Sequence, residues 1–97
     1  MSVLTTHEIA QALNLEEAEV QWQAILAWLT EQKRQILQSR LEILARYQAA
    51  SLQELEAKIA DGEVPEHQAW EDLIVAENLT ARLEEINAYL RRLQPAG

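Results

Sequence analysis

Ninety-seven residues carry sixteen acidic and eight basic side chains, a formal net charge of −8, with no cysteine, no phenylalanine, two glycines and two prolines. That length suits one domain, 1–97, and the charge repels phosphate backbones and anionic lipid while favouring a basic protein partner. Without cysteine there are no disulfides, thiolate nucleophiles or Cys-based metal sites, and a composition led by Ala, Leu, Glu and Gln points to an all-α fold.

The N-terminus, Met1 to Glu8, has neither the basic nor the apolar region of a signal peptide, and no apolar run approaches the ~20 residues of a membrane span. A cytoplasmic protein without a membrane segment is expected. Thr5 or Thr6 can cap a short helix over 5–13, with Glu8 placed for a capping box and Asn14 as its breaker. A long helix is predicted over 15–50: Glu16, Glu17 and Glu19 complement the positive end of its dipole, Arg40 and Arg46 lie toward the other end, and no Gly or Pro interrupts it. Ser51 to Glu54 reads as a second capping box opening a short helix over 52–60, with Leu52, Leu55 and Ile59 on one face. Gly62 suits the left-handed C-cap that closes it. Pro65 can open a return helix over 65–93, with Glu66, Glu71 and Asp72 at its start, Arg91 and Arg92 near its end, and Pro95 to stop it.

Two seams recur in steps of three and four, the first in strict alternation. The first is Trp22, Leu26, Leu29, Lys33, Ile36, Arg40, Ile43 and Tyr47; the second is Trp70, Leu73, Ala76, Leu79, Leu83, Ile86, Leu90 and Leu93. Such spacing is that of helices packing along a coiled-coil-like seam. Folding the chain back on itself predicts an antiparallel long-helix hairpin with contacts Trp22–Leu93, Leu29–Ile86, Ile36–Leu79, Ile43–Leu73 and Tyr47–Trp70. Lys33 and Arg40 would then reach Glu84 and Glu77 across it.

The long helix is apolar beyond that seam. Ile25 and Ile43 lie on one flank, Leu37, Leu41 and Leu44 on the other, and Trp28 further out still, whereas one partner helix covers a stripe of about 100°. A homodimer packed as a helical bundle is therefore expected, with Ile25, Trp28, Leu37 and Leu41 at its interface. Trp22 and Trp70 read as core residues, and Trp28 as an interface residue.

His67 and Glu71 have the i, i+4 spacing of a helical metal pair, but Glu63, Glu66, Glu71 and Asp72 are accounted for by the helix N-terminus they surround. There is no catalytic dyad or triad and no phosphate-binding glycine loop, so neither an enzyme nor a bound cofactor or metal is expected. Thr6 to Leu15, with Glu8-Ile9-Ala10 and Leu13, resembles the opening of a helix-turn-helix. The would-be recognition helix opens on Glu16, Glu17 and Glu19, the wrong sign for phosphate, which argues against nucleic-acid binding.

Tyr47, then Ser51-Leu52-Gln53-Glu54-Leu55 and Ile59, then Gly62-Glu63-Val64-Pro65-Glu66-His67 and Trp70-Glu71-Asp72, form a longer pattern. It resembles a recurrent stretch in short acidic proteins of archaea and cyanobacteria that read Y-G-M-S-L-E-E, G-E-x-P-E-H-P and W-E-D between helices. Many of those look like antitoxin-type partners of small toxins. This chain departs from the pattern where Gln48-Ala49-Ala50 stands in place of the Gly-Met turn and Gln68 in place of the second proline. The resemblance implies a non-enzymatic interaction module, an antitoxin-like acidic inhibitor of a small basic protein such as a toxin. Glu63, Glu66, His67, Glu71 and Asp72, with Glu16, Glu17 and Glu19, would supply its acidic surfaces. The alternatives are a structural or assembly factor docking on a larger complex and a divergent helix-turn-helix DNA-binding protein.

Overall fold

The computed structural model describes residues 4–93, and among them every regular element is an α-helix: α1 (Thr6–Ala12), α2 (Glu17–Arg46), α3 (Leu52–Ala60) and α4 (Glu66–Leu93). The N-terminal Met1 to Val3 and the expected stop at Pro95 lie outside the described residues. Helices α2 and α4 form the antiparallel hairpin, α3 packs mainly on α4, and α1 on α2. The result is a slab of 60 × 41 × 16 Å with a radius of gyration of 19.6 Å, where a compact domain of this length would have about 12–13 Å. No helix among the described residues is long and apolar enough to cross a membrane.

The seam register is borne out at the hairpin's open end. Leu29, Ile36 and Ile86 are buried together, with Leu79, Leu83, Leu90 and Leu93 packed around them. Trp22 closes that end by donating its indole N–H to the Leu93 carbonyl at 3.1 Å. The second core lies at the closed end, where Leu44, Tyr47, Leu55, Ala69 and Leu73 cluster and Leu52, Ile59 and Val64 pack against them. Leu55 and Ala69 are both 0% exposed there.

Two expectations about the seam are corrected. Trp70 is not a core residue: it is 50% exposed, and Ala69 is buried beside Tyr47 in the place expected of it. Where α3 lays Leu55 against the α2–α4 crossing, the small side chains of Ala69 and Ala76, both fully buried, let the helices approach, and an indole there would hold them apart. Nor do the seam cations form the expected ion pairs. Arg40 donates from Nη1 to the Thr80 hydroxyl at 3.3 Å, Lys33 is half-buried, and Glu77 and Glu84 are exposed. Each of these glutamates directly follows a seam residue, Ala76 or Leu83, and is therefore turned about 100° away from the cations.

Helices α1, α2 and α3 all stop by the same device. At each C-terminus a residue with positive φ, Asn14 (58°), Gln48 (52°) or Gly62 (71°), reverses the chain. The following amide then bonds back across the last turn: Leu15 to the Ala10 carbonyl at 2.8 Å, Ala49 to Leu44 at 3.0 Å and Glu63 to Lys58 at 2.9 Å. These are Schellman closures, and the one at Gln48 ends α2 at Arg46, short of the expected 50. At the other ends, Thr5 makes the full capping box with Glu8. Ser51 accepts from the Glu54 amide, while the Glu54 carboxylate takes the Ala50 amide, one residue upstream of the expected reciprocal bond. The first turn of α4 closes from the Ala69 amide onto the Pro65 carbonyl.

Candidate functional site

The helical faces leave two separate apolar surfaces. The first is at the open end, where Ile25 and Trp28 of α2 and Tyr89 of α4 are half exposed or more and line a groove with Ala24, Leu29, Arg92 and Leu93. Ile25 and Trp28 immediately precede the seam residues Leu26 and Leu29, which places them on one flank of α2. Leu37 and Leu41 lie on the other flank, seven and three residues before Leu44. Helix α3 covers Leu44 but stops short of Leu41, which is 63% exposed. The four apolar residues expected at an interface are thus all exposed, but they divide between two flanks.

The second surface is a corner at the closed end, where Glu66, His67 and Glu71 were expected at a surface but the Trp70 anchor in the core. The Trp70 indole stands beside Ile59 of α3, with Glu66 and His67 completing the hollow. The His67 imidazole lies 3.2 Å from the Glu71 carboxylate, both well exposed. Glu66 and Glu71 are open to solvent at this corner, and Ile74, one turn beyond Trp70, is also exposed; Glu63 lies instead in a neighbouring hollow with Arg46 and Lys58. Among the described residues the corner is lined by an aromatic and an aliphatic side chain, the Glu66 carboxylate and His67, with no lysine or arginine. The signal that could have found it is Ala69-Leu73-Ala76, an equally regular seam that displaces Trp70 outward.

Asp72 does not join that corner. Its half-buried carboxylate accepts a hydrogen bond from the Tyr47 hydroxyl and lies 3.5 Å from the Arg46 guanidinium. This ties the end of α2 to the start of α4. Burial, and then the hydrogen bond to Asp72, pushes the Tyr47 phenol up to about 12, so the bridge is intact at neutral pH. At the far end, Glu16, Glu17 and Glu19 are exposed where α2 begins, and His7 approaches Glu17 at 3.5 Å. The helix that follows the α1 turn is the long hairpin helix itself, with its first turn acidic. Among the described residues no group of three or more His, Asp or Glu side chains is arranged to hold a metal ion.

No curated protein and no solved structure matches the chain. One family does match, over residues 1–97. The chain belongs to the Uncharacterized protein MJ0235 family.

Proposed function

We propose that this protein is a non-enzymatic interaction module that captures a basic protein partner at the Trp70 corner, in the manner of an antitoxin-like acidic inhibitor. The observation that carries the reading is the exposed Trp70 indole against Ile59, with the Glu66 carboxylate lining the same hollow and Glu71 beside its His67. A tryptophan half in solvent beside an aliphatic side chain is a typical anchor of an interface. Carboxylates around an apolar anchor steer and select a cationic partner, while burial of the anchor supplies most of the affinity. The chain-wide charge of −8 acts in the same direction at longer range.

The test is co-expression with the product of the neighbouring reading frame. A basic product whose toxicity is relieved by the wild type, but by neither W70A nor the double variant E66K/E71K, supports the inhibitor reading. Neutralisation that survives both changes moves the contact elsewhere. A product that is neither toxic nor bound refutes the antitoxin-like function.

A further inference from the structure

The groove at the open end has a chemistry opposite to that of the Trp70 corner. Along α2 a second stripe runs one residue ahead of the main seam: Gln21, Ile25, Trp28, Gln32, Gln35 and Ser39, again in steps of four and three. None of the six is charged, and the chain carries no charge at all from Val20 to Thr30. Tyr89 and Leu93 bring α4 into the same surface, and among the described residues the only ionic group lining the groove is the Arg92 guanidinium. In a protein with sixteen acidic residues, no carboxylate of the described residues lines this apolar surface.

The chain also exposes far more area than its mass requires. Its accessible surface is 7328 Å², whereas a compact monomer of 11.1 kDa exposes about 5,700 Å². The excess, roughly 1,700 Å², is about twice the ~800 Å² that each partner contributes to a standard stable interface.

We infer that the Ile25–Trp28–Tyr89 face is where a second copy of this chain docks, face to face about a two-fold axis. Two molecules each of charge −8 repel, so self-association requires a surface on which carboxylates do not meet. The Gln21–Ile25–Trp28 part of this stripe, which lies within the charge-free run, meets that requirement; further along, the Glu31 carboxylate already accepts from Gln35 at 3.2 Å. A two-fold contact places the same patch on both copies, so Trp28 and Ile25 of one protomer pack on the equivalent uncharged stripe of the other. The Leu37–Leu41 flank takes no part in it. This inference does not depend on the Trp70 corner, which remains free in the dimer.

Light scattering coupled to gel filtration decides the matter, at about 100 µM, well above a micromolar dissociation constant. The wild type is expected at twice 11.1 kDa, W28E and Y89E at the single-chain mass, and L41E at the doubled mass. All three positions are exposed in the free chain, and circular dichroism reports whether each variant remains helical. Should W28E lose its helix, Y89E carries the test alone. A wild type at the single-chain mass overturns the inference, as does a doubled mass in a helical W28E or Y89E, or dissociation by L41E.

Discussion

Gln48 occupies a backbone conformation made for glycine, and replacing it should stabilise the protein. Its φ of 52° lies in the left-handed region, which costs a residue with a β-carbon about 1–2 kcal/mol. Glycine removes that cost and gives back about 0.5–1 kcal/mol in extra freedom of the unfolded chain. The net gain expected for Q48G is therefore about 0.5–1 kcal/mol, which for a domain of this size raises Tm by about 2–8 °C. Gly62 supplies the reciprocal test at φ 71°. A β-carbon added there meets nothing within 4 Å, so the loss of about 1 kcal/mol expected for G62A is entirely a backbone effect. N14G should give a smaller gain than Q48G, because asparagine tolerates this region better than glutamine. Thermal unfolding followed by circular dichroism, at matched protein concentrations, measures all three. A Q48G protein melting at or below the wild type, or a G62A protein melting with it, refutes the account of how these helices end.

Leu55 is fully buried between α2 and α4, and L55A should cost about 2–5 kcal/mol; chemical denaturation giving less than 1 kcal/mol would mean that α3 is not docked in solution. Arg40 ends in a single 3.3 Å bond to Thr80, so R40L should melt at or above the wild type and E77L should be close to neutral. A large loss shared by both variants would restore the ion pair that the structure replaces. The Tyr47 proton is held more tightly in the folded state, up to about 12. Stability should therefore be intact below the ordinary tyrosine value of about 10 and fall as pH rises from there toward 12. Y47F should flatten that alkaline limb, and an unchanged slope would exclude Tyr47 as its source.

What could be read from the sequence was whatever depends on period. Leu29, Ile36, Ile86 and Trp22 fall where steps of three and four put them, because a long seam averages over many residues and tolerates no slip. Ala69 was lost to Trp70 because hydrophobicity alone ranks the bulkier side chain first; only the arrival of α3 makes smallness the deciding property. The failed pairs at Glu77 and Glu84 follow from the same 3.6-residue geometry, which sends the residue after a seam position out toward solvent. The early end of α2 was hidden because glutamine is not a usual left-handed residue. The glycine at this place in the pattern that the stretch resembles was the one available signal for that turn. The Trp70 corner needed the Ala69 correction and the docking of α3, since it exists only once Trp70 leaves the seam and Ile59 stands beside it.

The two core clusters stand at very different distances along the chain. Tyr47 and Asp72 are joined after closing a loop of 25 residues, Trp22 and Leu93 only across 71. Each widening of the loop adds entropic cost before a contact repays it, so the hairpin is expected to zip from its closed end, the Leu44, Leu55 and Leu73 cluster forming before Leu29–Ile86. Opening runs in reverse, and the turns around Trp22, Trp28 and Tyr89 are the first to fray. The face proposed for the second copy is thus expected to fold last, and docking there would act as a latch on the zipper, slowing unfolding far more than it speeds folding.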